Sequence, residues 1–331
     1  MSSIVGQAAP EGSKMAVLLK GSRGWRAHSL VIGLLVILVL LNGFADPGLV
    51  DMFQAGLLLQ TALPLVFVAF AQTLAVLTRG MDLSVGASMA MVSVLTATWM
   101  GGFDGGSSWH LLPILGIALG IGLLNGVLIC ILRLPPIIAT LATWSVFNGV
   151  AIGLLEQDGG EVPTWLTNLV TGESFGIPNS YFILAVALII WYQLSRGRLG
   201  RSIFAVGGDP ERAALNGINV KRTLIATYGL CGLIAGIGGL MLAGATSTGQ
   251  PTAGDAYILP SVTAVVIGGT SLMGGRGGVG LTILGVLILT LVNSLVQALS
   301  LEAWVGVLLT SVLLVAVVVV RAIPDLIKGR A

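Results

Sequence analysis

The stretch GLCGLIAGIGGLMLAG, residues 229–244, contains six glycines and no charged residue. It lies in an apolar window, residues 223–245, that is long enough to cross a bilayer core, for which about 20 apolar residues suffice. Small residues allow membrane helices to approach closely, because lipid-embedded helices associate through packing rather than through the hydrophobic effect. The pattern favours a tightly packed membrane helix, with a moving element as the alternative interpretation.

The composition of the whole chain agrees with a membrane protein. Of its 331 residues 55% are hydrophobic and 9% are charged, whereas soluble domains carry about 25% charged residues. The net charge of +2 gives no indication of nucleic-acid binding. Cys130 and Cys231 lie in apolar runs, so we expect neither a disulfide nor a metal site. The sequence contains no GxxxxGK[ST] motif and no convincing catalytic constellation, so we predict a chain that is not an enzyme and binds no cofactor itself.

Ten apolar windows predict an all-α membrane protein, a polytopic bundle of about ten transmembrane helices. The windows are 28–45, 52–77, 83–100, 111–132, 136–155, 181–195, 223–245, 257–273, 278–297 and 303–320. Pro64 and Pro260 are expected to interrupt two of them. The first run has no clear cleavage site, so we interpret it as a retained span rather than a signal peptide.

The basic residues orient this bundle. With ten spans, all 16 Lys and Arg residues fall on one side, which the positive-inside rule assigns to the cytoplasm. The opposite loop 156–180 carries four acidic residues and no basic one. We therefore predict a cytoplasmic N-terminal tail, 1–27, a transmembrane domain, 28–321, with a cytoplasmic loop at 196–222, and a cytoplasmic C-terminal tail, 322–331.

Two polar stretches border predicted spans. In TRGMDLSVGASMA, 78–90, Asp82 is expected to cap the third span, with a gating or substrate role as the alternative and Arg79 as its partner. In LRLPPIIATLATW, 132–144, Pro135 and Pro136 suit a helix start. Threonines within a span often bond only the preceding turn, and the alternative for this stretch is a pore-lining face.

The loop between the sixth and seventh spans contains a predicted short helix. Asp209 is a suitable N-cap, Pro210 suits the first helical position and Gly217 suits the left-handed position after the helix. Ala213, Ala214 and Leu215 give this helix an apolar ridge. A docking surface for another protein explains the ridge, and a helix on the membrane interface is the alternative.

Residues 275–280 formally match GxGxxG. Apolar spans flank them on both sides, so we interpret them as a tight turn around Arg276 rather than as a dinucleotide site. The sequence GTSL at 269–272 echoes GMDL at 80–83, which hints at an internal repeat of the kind found in transporters.

Polar residues within the spans are candidates for lining a pore, although some will form ordinary interhelical hydrogen bonds. The candidates are Gln60, Gln72, Asn125, Thr140, Thr143, Asn148 and Asn293. Arg79, Asp82 and Arg276 are candidates for a structural or gating role.

Five stretches in one order resemble permeases of bacterial ATP-binding cassette importers of the ribose, xylose and galactose type, which are related to branched-chain amino-acid permeases. They are RGMDLSVG (79–86), GLLNGVLI (122–129), RLPPIIATLAT (133–143), GRSIFAVGGDPERAALNGINV (200–220) and QPTAGDAYILPSVTAVVIGGTSLMGGRG (250–277). The resemblance covers roughly residues 55–321.

The resemblance implies alternating access in a bacterial inner membrane. It implies three partners: a cytoplasmic ATPase that binds ATP and Mg²⁺, a periplasmic or lipid-anchored solute-binding protein, and a second, identical or similar permease chain. It also implies that the segment Asp209, Pro210, Glu211, Arg212, Ala213, Ala214, Leu215, Asn216, Gly217, Ile218 and Asn219 couples the permease to the ATPase.

Other functions stay open. Arg79, Met81, Asp209 and Asn216 depart from residues that are frequent in the family, which leaves the solute undetermined. A sugar is the first expectation, and a nucleoside, polyol, furanose autoinducer or amino acid are alternatives. A secondary transporter or channel without an ATPase, and a membrane scaffold or sensor, are the rival classes.

Overall fold

The architecture is an assembly of helices around one glycine-rich central helix. The computed structural model describes residue 29 and residues 31–101 and 108–327. The predicted tail 1–27 lies outside the described residues. The helices are α1 Val31–Ala45, α2 Met52–Leu77, α3 Val85–Trp99, α4 Leu111–Cys130, α5 Pro136–Leu154, α6 Thr164–Thr171, α7 Asn179–Arg196, α8 Arg198–Gly208, α9 Pro210–Leu215, α10 Val220–Thr246, α11 Asp255–Ile267, α12 Val279–Ala298 and α13 Ala303–Ile327. Two short strands, β1 Glu173–Ser174 and β2 Ile177–Pro178, form an antiparallel hairpin.

The prediction of an all-α, multi-pass membrane protein is confirmed. Within the described residues, α2, α4, α5, α10 and α12 are long and apolar enough to cross a membrane, and the bent pair α7 and α8 makes a sixth candidate. Each of the ten predicted windows coincides with one helix. However, α3 has 15 residues and α11 has 13, so each covers only about 20 Å at 1.5 Å per residue.

Helix α10 occupies the centre, and its glycines place its backbone directly against other backbones. A Cβ added to Gly232 would collide with the carbonyl oxygen of Ala118 on α4, and one on Gly239 would collide with that of Met89 on α3. On the facing helix, Gly126 lies so close that a Cβ would be 2.6 Å from the Cα of Ile225. Tight packing therefore accounts for the glycines of residues 229–244.

One local expectation is wrong, and one predicted loop contains an element that the sequence did not indicate. Pro64 and Pro260 do not interrupt their helices, since α2 and α11 continue through them. The loop predicted at 196–222 contains an additional helix, α8, which bends by 69° away from α7 at Gly197. Helix α8 is amphipathic because Ile203 and Val206 are buried while Arg198 and Arg201 are exposed.

Prolines start two helices as predicted. Pro136 is the first residue of α5, and Pro210 is the first residue of α9. Proline suits this position because the first N–H of a helix has no intrahelical acceptor in any case.

Candidate functional site

The loop between α2 and α3 holds a fully buried carboxylate. One oxygen of Asp82, Oδ1, accepts hydrogen bonds from the Ser84 backbone N–H at 2.9 Å and from the Ser84 hydroxyl at 2.6 Å. Asp82 thus binds a backbone N–H at the start of α3, as a cap does, although Ser84 is the N-cap residue. The expected partnership with Arg79 is wrong, because the Arg79 side chain points to α8 instead.

A chain of buried hydrogen bonds continues from this loop across three helices. Asn125 Nδ2 on α4 donates to Ser84 Oγ at 2.7 Å, and Thr143 Oγ1 on α5 donates to Asn125 Oδ1 at 2.7 Å. Thr140 Oγ1 accepts from the Leu83 N–H at 3.1 Å. The polar network of Asp82, Ser84, Asn125 and Thr143 therefore fixes the beginning of α3 against α4 and α5. The simpler expectation was that Thr140 and Thr143 bond only within their own helix. The structure differs, because both also bond to other segments.

A cavity of about 510 Å³ opens between the first half of α2, the first half of α11 and the second half of α12. Its polar lining residues are Gln54, Thr61, Tyr257, Thr290, Asn293, Ser294 and Gln297, and its other lining residues are Leu57, Leu58, Leu65, Ala256 and Pro260. The polar groups are neutral amides and hydroxyls, each of which can both donate and accept hydrogen bonds. This arrangement suits a neutral, hydroxyl-bearing solute better than an ion.

The polar lining of α12 follows one helical face. Thr290, Asn293, Ser294 and Gln297 are spaced at i, i+3, i+4 and i+7 in the second half of α12, where the other residues are apolar. Polar side chains on a membrane helix avoid lipid and face a partner or a water-filled path. Sequence reasoning selected only Asn293 from this face, although the helical spacing of the four residues could have revealed all of them.

The other pore candidates lie elsewhere. Asn125 and Thr143 belong to the buried network around Asp82, and Thr140 accepts from the neighbouring Leu83 N–H. Gln72 is fully buried within α2, and its amide atoms have no hydrogen-bond partner among the described residues. Gln60 on α2 and Asn148 on α5 are half-buried and do not line the cavity. The structure therefore does not gather the seven candidates into one path.

Helix α9 forms as predicted and presents an apolar tip. Asp209 Oδ1 accepts from the N–H groups of Glu211 at 3.1 Å and Arg212 at 3.0 Å, and Gly217 adopts the left-handed conformation with φ of 81°. Leu215 is 87% exposed. The predicted ridge of three residues needs correction, because Ala213 is buried and only Ala214 and Leu215 face outward.

Arg79 and Arg276, the two arginines with a predicted structural or gating role, have different surroundings. The Arg79 guanidinium donates through Nε to the carbonyl oxygen of Gly207 at 2.7 Å and through Nη2 to that of Gly208. Arg276 is exposed in the turn between α11 and α12, where Gly269, Gly274, Gly275 and Gly277 have positive φ. The tight glycine turn inferred for this segment is confirmed.

Metal binding has no support in the described part of the chain, which contains no cluster of three or more His, Cys, Asp or Glu side chains. The candidate functional features are thus the neutral polar cavity, the buried hydrogen-bond network and the exposed tip of α9.

Comparison with known proteins places the chain among transport permeases. A family described as "Branched-chain amino acid transport system / permease component" matches residues 55–318. The ribose import permease protein RbsC of Escherichia coli K12 is 31% identical over 307 residues, which cover 90% of this chain and 95% of RbsC.

Two further relatives have a higher sequence identity to this chain. RbsC of Bacillus subtilis is 36% identical over 87% of this chain and 90% of its own length. The fructose import permease protein FrcC of Rhizobium meliloti is 36% identical over 78% of this chain and 74% of its own length. No solved structure matches the chain.

Proposed function

The chain belongs to the family of branched-chain amino acid transport system permease components, and from this premise we propose that it moves a sugar or sugar-like solute into the cytoplasm. It is the membrane-spanning permease subunit of an ATP-binding cassette importer, and it is a transport component rather than an enzyme. The relatives named for ribose and fructose import favour a monosaccharide over an amino acid.

The cavity between α2, α11 and α12 is the observation that carries the sugar proposal. A monosaccharide displays neutral hydroxyl groups around a ring, and the cavity offers amide and hydroxyl groups on three helices with apolar residues between them. Its volume of about 510 Å³ falls within the range of about 300 to 1,000 Å³ that is usual for small-molecule sites. We therefore assign the outer part of the solute path to this cavity.

The importer needs a separate ATPase, which holds ATP and Mg²⁺, and a solute-binding protein on the outer side. We assign Asp209–Asn219 to the contact with the ATPase, since α9 is capped at both ends and exposes Leu215. We further propose that two permease chains, identical or similar, form the complete path. No cofactor is assigned to this chain.

The same proposal includes ten spans with both termini in the cytoplasm. Ten helices coincide with the ten windows, and the short helices α3 and α11 cross as parts of spans broken by the loops at 78–84 and 268–278. The distribution of basic residues supports this orientation. Residues 28–321 then form the transmembrane domain, with 196–222 as the coupling loop between the cytoplasmic tails 1–27 and 322–331.

Copurification from native membranes tests the assembly. The wild-type chain is purified in mild detergent beside Leu215→Glu and the control Phe175→Glu, which places the same charge at the exposed tip of the outer hairpin. We expect a P-loop ATPase with the wild type and with the control, and its loss with Leu215→Glu.

Uptake into proteoliposomes tests the solute. The complex, its binding protein and ATP should accumulate ribose or fructose in preference to leucine. Retention of the ATPase by Leu215→Glu would overturn the docking assignment. Uptake by the permease alone, without ATP, would favour a secondary transporter.

A further inference from the structure

Arg79 occupies a backbone position that normally selects glycine. The N–H of Arg79 donates to the carbonyl oxygen of Val76 at 3.0 Å, and the N–H of Gly80 donates to that of Ala75 at 3.0 Å. These two bonds make a Schellman motif, in which the first residue beyond the helix cap is left-handed and usually glycine. Arg79 is that residue, with φ of 66°.

Helix α11 ends in the same way with a glycine. The N–H of Gly269 donates to the carbonyl oxygen of Val266 at 3.0 Å, the N–H of Thr270 donates to that of Val265 at 3.2 Å, and Gly269 has φ of 90°. The end of α11 thus shows that a glycine can form this helix ending without any side chain. An arginine at the corresponding position of α2 carries a conformational penalty that its side chain must offset.

The side chain of Arg79 reaches the residues immediately before the coupling helix. Its two acceptors are the carbonyl oxygens of Gly207 and Gly208, the last residues of α8. The next residue, Asp209, caps the end of α8 and the beginning of α9. A displacement of α9 must therefore move the carbonyl groups that Arg79 holds.

The turn between α11 and α12 joins the same contact. The N–H of Gly275 donates to the carbonyl oxygen of Leu77 at 2.9 Å. Gly207 is packed so closely that a Cβ would collide with the same oxygen, and a Cβ on Gly274 would be 2.5 Å from Cγ of Arg79. We call these residues, Leu77, Arg79, Gly207, Gly208, Gly274 and Gly275, the glycine junction. Its backbones touch directly, so no segment can shift without the others.

We propose that Arg79 is a positioning residue that transmits the movement of α9 to α2 and thereby to the solute cavity. Helix α2 is held by Arg79 at its last turn and lines the cavity with Gln54 and Thr61 in its first turns. The turn at 274–275 connects the junction to α11 and α12, the other two walls of the cavity. This inference rests on the proposed docking of the ATPase on α9.

The test compares Arg79→Gly, Arg79→Lys and a matched control, Arg133→Gly, in the complete importer. Arg133 also has positive φ, 56°, and is exposed after α4, so its replacement removes one charge and the same kind of backbone strain. ATP hydrolysis and solute uptake are measured together in proteoliposomes, and ATPase copurification is measured in detergent.

We expect Arg79→Gly to keep the helix ending and the bound ATPase while the solute moved per ATP falls by about five-fold or more, the lower end of ordinary coupling between two sites. Arg79→Lys should give an intermediate ratio, because an ammonium group lacks the planar fork of the guanidinium. Arg133→Gly should match the wild type.

Two results would overturn the proposal. Wild-type coupling in Arg79→Gly would show that the arginine transmits nothing. Loss of the ATPase from Arg79→Gly would show that Arg79 only shapes the docking surface. Failure of the docking assignment itself is seen separately, when Leu215→Glu retains the ATPase.

Discussion

The indole N–H of Trp144 donates a 2.8 Å hydrogen bond to Oδ1 of Asp255, which ties the middle of α5 to the first turn of α11. Asp255 precedes the predicted window 257–273 and is the first residue of α11, where the helix favours negative charge. The bond gives this carboxylate a polar partner 111 residues away in the chain. It also connects α11, a wall of the cavity, to the helix that carries Thr140 and Thr143.

Trp144→Phe should reduce the free energy of unfolding by about 1 to 2 kcal/mol, since it removes a hydrogen bond to a charged acceptor in the membrane region. Asp255→Asn should cost less, because the amide oxygen still accepts. Thermal unfolding is followed with a thiol-reactive dye that labels the buried Cys130 and Cys231 as they become accessible. If the loss of stability in the double variant equals the sum of the losses in the two single variants, Trp144 and Asp255 do not interact.

Gly232→Ala should be severely destabilising, by about 3 kcal/mol or more, because its Cβ would meet the backbone of α4, which cannot give way. Gly116→Ala on α4 is the matched control, since beyond the backbone of its own helix no atom lies within 4 Å of an added Cβ. The control should be neutral or slightly stabilising, as alanine is favoured over glycine in helices. Monodispersity and thermal unfolding in detergent measure both variants. A stable Gly232→Ala protein would contradict the close packing of α10 on α4.

Asn125→Ala should cost about 1 to 3 kcal/mol, because it removes two interhelical hydrogen bonds, one to Ser84 Oγ and one from Thr143 Oγ1, each of which contributes about 0.5 to 1.5 kcal/mol. Thr98→Val serves as the control, since the Thr98 hydroxyl bonds only to Val94 in its own helix. Combining Asn125→Leu with Thr143→Val should recover part of the loss, because no polar partner of that pair is then left. Equal unfolding midpoints for Asn125→Ala and Thr98→Val would indicate that the network adds nothing to stability.

Asn293→Leu and Gln297→Leu should each slow solute uptake about ten-fold, the effect of about 1.4 kcal/mol, which is comparable to one lost hydrogen bond. Neither should release the ATPase, because in the proposed orientation the second half of α12 lies toward the outer side of the membrane and α9 lies on the cytoplasmic side. Ser311→Leu, on the exposed side of α13, is the control. Uptake is measured with the purified complex. Unchanged uptake in both cavity variants would remove the cavity from the solute path.

Cysteine labelling in intact cells tests the ten-span orientation. Asp158→Cys should react with a membrane-impermeant maleimide from outside, while Arg212→Cys should react only after the cells are opened. Cys130 and Cys231 are buried, which keeps the background reaction low. Labelling of Arg212→Cys from outside would reverse the orientation or change the number of spans.

The sequence predicted those structural features that depend on residues close together in the chain. Hydropathy located the helices, and the sequence Asp209–Pro210 located the start of α9 to the residue, because a cap and its helix are neighbours in the chain. The bend at Gly197 was missed, since the window ended where the basic residues began.

Partners that lie far apart in the sequence could not be predicted in this way. Arg79 was paired with Asp82, three residues away, whereas its acceptors are 128 and 129 residues away. The cavity likewise depends on how α2, α11 and α12 come together. One part of the cavity could be predicted from the sequence, because the polar residues of α12 recur with the period of a helix.

The central position of α10 also determines the order in which this protein must be assembled. Helices α2, α3 and α4 leave the ribosome before their common partner, which is complete only at Thr246. At about 5 to 20 residues per second, the interval between the end of α3 and the end of α10 is about seven to thirty seconds. During that time the backbone surfaces of α3 and α4 that contact the α10 glycines lack this partner. We therefore expect a chain that ends before residue 246 to lack this shared packing and to be unstable in the membrane.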